Sequence, residues 1–137
     1  MSGPEFLDTN VLIYSYDISD RRKQEVAQSL VRKALAGGMV TSTQVLGEFA
    51  SALLHKVTPA VHVNDLTVAL DALAPIPLVS TDADMVGRAV QVHARYGLHF
   101  YDSLIVAAAE RAGCERIWSE DLNSGQSYFG IAVQNPF

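Results

Sequence analysis

Short apolar runs alternate along this chain with longer stretches whose apolar residues recur every three or four positions, and this alternation restricts the fold more than any other feature. Phe6-Leu7 before Asp8, Met39-Val40-Thr41, Ile76 to Val79, Arg116-Ile117-Trp118 and Ile131-Ala132-Val133 read as strands. Gln24 to Ala36 carries apolar residues at Val26, Ala27, Leu30, Val31, Ala34 and Leu35 and stops at Gly37-Gly38, which predicts a helix with a glycine end. Ser42 or Thr43 caps a second helix through Val45, Phe49 and Leu53. Pro59 starts a third, closed by Pro75 and Pro77, and Ser80-Thr81-Asp82 opens a fourth that runs to Gly97. From Tyr101 or Asp102 to Ala112 the sequence is apolar nearly all round, which predicts a buried, closely packed helix. The stretch after Asn10 suits either strand or helix. Strands alternating with helices through short loops predict an α/β sandwich around a mostly parallel sheet, in a single domain over residues 1–137.

Composition narrows the function. The hydrophobic fraction of 49% is high enough to fill a core and still leave apolar surface for a partner. A net charge of -5 argues against a protein that coats DNA, but not against a nuclease whose acidic centre is neutralised by metal. Arg21-Arg22-Lys23 and Arg32-Lys33 are candidate phosphate contacts, with solvated helix charge as the simpler reading. Cys114 is alone, so neither an intrachain disulfide nor a cysteine metal site is available, and a reducing cytoplasm fits. No window reaches the roughly 18 uninterrupted apolar residues of a membrane span.

Four carboxylates stand at or near element ends in apolar surroundings: Asp8, Glu48, Asp102 and Asp121. Asp8 and Asp121 directly follow strand runs, where a parallel sheet opens its crevice. Asp102, in the first turn of the buried helix, shares a face with Ile105, Val106 and Ala109. Glu48 lies on the flank of its helical stripe and by itself reads as solvated. Each has a plain structural alternative, a turn for Asp8 and Asp121 and a helix cap for Asp102. Convergent oxygen ligands favour Mg²⁺ or Mn²⁺ over zinc, and such an ion can activate water against a phosphodiester. Asp82 and Asp84 read as helix-start charges, and Glu120 as at most an outer ligand. The four histidines lack zinc-site spacing, and neither a phosphate loop nor a serine-hydrolase elbow is present.

At these residues the chain resembles the PIN-domain family, in particular VapC-type toxins. Four segments carry the resemblance: Phe6-Leu7-Asp8-Thr9-Asn10-Val11-Leu12, Gln44-Val45-Leu46-Gly47-Glu48-Phe49, Tyr101-Asp102-Ser103-Leu104-Ile105 with the Ala-rich helix after it, and Ser119-Glu120-Asp121-Leu122. The resemblance implies a PIN-like three-layer α/β/α sandwich with a five-stranded sheet. It also implies a Mg²⁺- or Mn²⁺-dependent endoribonuclease, a homodimer, and neutralisation by a cognate antitoxin. By residue match it makes Asp8, Glu48, Asp102 and Asp121 the catalytic metal ligands, with Thr9, Asn10 and Ser119 supporting them or positioning RNA. Metal-activated water would then leave a 5′-phosphate and a 3′-hydroxyl. Two other functions compete: phosphotransfer with Asp8 as acceptor, although a second Asp is missing at Asn10, and a noncatalytic binding module of the same fold.

Overall fold

A computed structural model describes residues 3–57 and 59–137. In chain order the elements are β1 (Glu5–Leu7), α1 (Thr9–Tyr14), α2 (Arg21–Ala36), β2 (Met39–Ser42), α3 (Thr43–His55), α4 (Val63–Leu73), β3 (Leu78–Val79), α5 (Ala83–Tyr96), α6 (Phe100–Arg111), β4 (Arg116–Trp118), β5 (Ser127–Tyr128) and β6 (Ile131–Gln134). The sheet runs β3-β2-β1-β4-β6-β5. Five strands are parallel, as the sequence predicts, and β5 adds an antiparallel sixth at the edge. The expected five-stranded sheet is therefore one strand short. Phe129 at φ 51° and Gly130 at φ 78° turn the chain, so that Tyr128 pairs back onto Ile131.

Chain direction explains the layers. From β1 the chain steps through β2 to β3 on one side, then returns across the sheet to β4 on the other. Right-handed crossovers put α1 to α4 on one face of the sheet and α5 and α6 on the opposite face. The core between them includes Phe6, Leu7, Phe49, Leu53, Val106 and Ile117, all essentially inaccessible. In α6, Ser103 to Ala109 are buried without interruption, which accounts for the absence of a polar stripe in its sequence. No helix among the described residues is long and apolar enough to cross a membrane.

Local chemistry sets the element boundaries. The ambiguous stretch after Asn10 is helical because Asp8 caps it, its side chain accepting from the Thr9 amide. Asp20 caps α2 and starts it three residues before the predicted Gln24. Ser42 caps α3, and Asp82 caps α5 through Met85 N–H while pairing with Arg111. The third helix begins at Val63 rather than Pro59: Val61 N–H bonds back to the Leu53 carbonyl, and His62, with extended backbone, caps the helix by accepting from Asn64 N–H.

Strand order reverses between β1 and β4, so the two strands part company in the chain yet lie side by side, with Leu7 level with Trp118. Their carboxyl ends form the crevice where open α/β sheets bind ligands.

Candidate active site

Register delivers Asp8 and Ser119 to the same edge, since each is the first residue after its strand. Asp8 N–H bonds to the Trp118 carbonyl at 3.1 Å and Ser119 N–H to the Gln134 carbonyl at 3.0 Å. Asp8 is only 4% exposed. Its Oδ1 accepts from Thr9 N–H at 2.7 Å and its Oδ2 from the Ser119 hydroxyl at 2.7 Å. Burial nevertheless pushes the Asp8 carboxyl up from 3.8 to about 6. The two hydrogen bonds oppose that rise, whereas the negative charges of Asp121 and Glu48 add to it.

The Ser119 hydroxyl is fully used, because it also accepts from the N–H groups of Asp121 (3.1 Å) and Leu122 (3.2 Å). It thereby ties the turn after β4 to Asp8. Asn10 makes a second tie: its Nδ2 donates to Asp121 Oδ2 and its Oδ1 accepts from Glu120 N–H, both at 3.1 Å. Thr9 contributes its backbone N–H to Asp8, while its buried hydroxyl has no protein partner. Glu120, considered as an outer ligand, turns away to Tyr14 Oη at 2.6 Å and Lys23 Nζ at 2.5 Å.

Asp102 and Glu48 face this cluster from the other two helices. Asp102 is half-buried and does not cap α6, since the cap is His99, whose Nδ1 accepts from Tyr101 N–H. Burial first, and the charge of Asp121 second, raise the Asp102 carboxyl above its ordinary value, with His99 opposing. Glu48 is exposed, as its helical position predicts, and accepts from Gln44 Nε2 at 2.7 Å. Glu48, His99, Tyr101 and Asp102 line a cleft of about 420 Å³.

All four candidate carboxylates thus come to one end of the sheet, near enough for Asp8 to feel Asp121 and Glu48, and for Asp102 to feel Asp121. Among the described residues, no three acidic, histidine or cysteine side chains converge closely enough to hold an ion as they stand. The donor set nevertheless suits a hard divalent cation: it is all oxygen, and the ion pairs among the described residues leave these four carboxylates unmatched by lysine or arginine. A buried carboxylate with raised proton affinity gains most from such a charge.

Of the basic candidates, Lys23 is held by Glu120, Arg22 bonds to the Phe137 carbonyl, and Arg21, Arg32 and Lys33 are exposed. Sequence reasoning gave no role to Gln44, His99 or Tyr101, which border the carboxylates. Gln44 had a signal in its position one helical turn before Glu48. An aromatic in the first turn of an apolar helix reads as core, so Tyr101 had none.

Several solved structures share this fold. A toxin-antitoxin complex from Klebsiella pneumoniae superposes with a TM-score of 0.71 at 20% identity, covering 97% of this chain and 98% of the other. DNA-bound VapBC from Salmonella typhimurium gives 0.69 at 20% identity, with both chains covered completely (100% each). The sarcin-ricin-loop-cleaving toxin VapC20 of Mycobacterium tuberculosis gives 0.63 at 20%, over 85% of this chain and 89% of the other. No curated protein matches the chain by sequence. The model of the PIN domain matches residues 6–125, from the strand before Asp8 to the turn beyond Asp121, and the chain belongs to the PIN-domain family.

Proposed function

We propose that this chain is a Mg²⁺- or Mn²⁺-dependent endoribonuclease and the toxin of a type II toxin-antitoxin pair, acting in the cytoplasm. The observation that carries the reading is the group of carboxylates around the β1–β4 switch point, one of them buried, none of which is ion-paired with lysine or arginine among the described residues. Asp8, Glu48, Asp102 and Asp121 would hold the ion. When bound, it supplies activated water at neutral pH and screens the scissile phosphate from the carboxylates. Ser119 and the Thr9 amide fix the two oxygens of Asp8, and Asn10 aims Asp121.

External water rather than the ribose 2′-hydroxyl is the nucleophile in this reading, so the fragments carry a 5′-phosphate and a 3′-hydroxyl. Cyclic 2′,3′-phosphate ends would refute it. Neighbouring toxin structures, found as toxin-antitoxin and VapBC complexes, support a cognate antitoxin as partner. Val63 and Val68 on α4, with Val86 and Val90 on α5, stay exposed and offer apolar surface for that antitoxin or for a homodimer. Phosphotransfer is the poorer reading, since the position two residues after Asp8 that would carry a second carboxylate is Asn10, whose amide is spent on Asp121 and on Glu120 N–H.

The test is cleavage of total RNA by the purified chain and by Asp102→Asn, each with Mg²⁺, Mn²⁺ or EDTA. Cleavage that needs metal and vanishes in the variant is expected. Equal cleavage by both, or none by either folded protein, would transfer the fold to a noncatalytic binding role.

A further inference from the structure

Tyr101 is out of place for a tyrosine on the most buried helix of the protein: it is 57% exposed, although seven residues in succession after Asp102 are buried. Two neighbours pack against its ring. His99 stacks on it at 5.9 Å between centroids with 29° between planes, and Phe100 meets it edge-on at 5.3 Å. Its backbone is pinned as well, because Gln44 Nε2 bonds to both the Tyr101 carbonyl (3.2 Å) and Glu48 Oε1 (2.7 Å). The ring therefore stands beside two of the carboxylates whose cleft it lines.

Resting on the nuclease reading above, we infer that Tyr101, backed by His99, is a stacking platform for one unpaired base beside the scissile phosphate. Charge decides what can lie there. Glu48 and Asp102 share the cleft, so a second phosphate on this rim would be repelled, whereas a base presents a neutral flat face. A paired base is covered on both faces by its own helix, and only a looped-out or single-stranded one can give a face to the ring. A second copy of this chain is the poorer occupant, since a two-fold contact through Tyr101 would bring two sets of Glu48 and Asp102 together.

The experiment uses a short single-stranded oligoribonucleotide with 2-aminopurine replacing one base at a time, its perfectly paired duplex, and the wild type, Tyr101→Phe, Tyr101→Trp and Tyr101→Ala. Binding is read by fluorescence quenching in Ca²⁺, and cleavage by single-turnover rates in Mn²⁺. We expect one 2-aminopurine position to be quenched by the wild type and by the Phe and Trp variants, and that quench to vanish in Tyr101→Ala. Affinity of Tyr101→Ala for the single strand should fall roughly 5- to 150-fold, the range for a lost base stack, while binding to the duplex stays unchanged. Quenching in Tyr101→Ala equal to wild type, or an equal loss in Tyr101→Phe, would overturn the inference. So would dissociation of an oligomer by Tyr101→Ala with RNA affinity unaltered. The two readings fail separately: a wild type that quenches but never cleaves keeps the platform and loses the nuclease, and Asp102-dependent cleavage untouched by Tyr101→Ala does the reverse.

Discussion

Replacing Asp8 by Asn should make the metal-free protein more stable at neutral pH, although it removes a residue proposed as essential. Burial raises the folded carboxyl from 3.8 to about 6, so the folded state binds the proton more tightly than the unfolded chain does. The stabilisation from that proton is fully present below the unfolded value and is lost as pH rises through about 6. At about 1.4 kcal/mol per pH unit, the ionised wild type gives up about 3 kcal/mol once the pH passes that point. Asn keeps the acceptor for the Thr9 amide but turns an amide NH₂ toward the Ser119 hydroxyl, which already accepts two N–H groups. Losing that hydrogen bond costs about 1 kcal/mol, which leaves a net gain of about 1–2 kcal/mol. Urea denaturation of both proteins in EDTA, from about pH 4 to about pH 8, measures it. The variant should be equal to or weaker than wild type at the acid end and stronger at the alkaline end. Taking the difference between the two curves largely removes the contribution of Asp102, whose carboxyl is raised in both. A difference that stays flat across the window would refute the burial argument. Mn²⁺ should then reverse the order, by stabilising wild type and not Asp8→Asn.

Ser119→Ala removes a buried hydroxyl that bonds Asp8 and receives two backbone N–H groups, and should cost about 2–4 kcal/mol in urea titration; a cost under about 1 kcal/mol would mean that water replaces it. Gly97→Ala tests the helix end alone, because Gly97 has φ 72° and nothing near the added methyl; it should lower Tm by about 3–5 °C, for about 1 kcal/mol, with RNA cleavage unchanged.

Much of the fold was legible because helix ends and strand runs obey local rules. Gly37-Gly38 ends α2 and Asp82 starts α5, as the sequence predicts, since caps act within one turn. The misreadings arise where a turn or a hydrogen bond to a neighbouring element overrides a segment's own signal. The segment from Pro59 obeys a hydrogen bond to α3 rather than its own helix signal, and β3 shrinks to Leu78–Val79 because Ile76 N–H is taken by the Leu73 carbonyl in a turn. Ser127–Tyr128 is too short and polar to announce itself, and becomes a strand only because the turn at Phe129 and Gly130 folds it onto β6.

The same distinction runs through the candidate site. Asp8 and Asp121 could be found from sequence because they follow strands whose parallel neighbours fix where the ends fall. Asp102 could be found because a carboxylate inside an apolar helix face needs a reason to be there. Glu48 could not, since an exposed glutamate on a helix flank is indistinguishable from ordinary surface, and only the family resemblance singled it out. What no pattern showed was the unequal wetting of the four: Asp8 nearly closed off, Asp102 half-buried, Glu48 and Asp121 open. That gradient has a consequence for charge. A cation entering from the open side can first meet the two wet carboxylates, which lose the least hydration in binding it. It relieves Asp8, the carboxylate with the most to gain, only when held at the inner end. Stabilisation by Mn²⁺ should therefore depend on Asp8 far more than on Glu48, and Glu48→Gln should weaken the Mn²⁺-induced rise in Tm less than Asp8→Asn does. An equal loss in both would show that the ion sits at the rim and that the burial of Asp8 has no part in holding it.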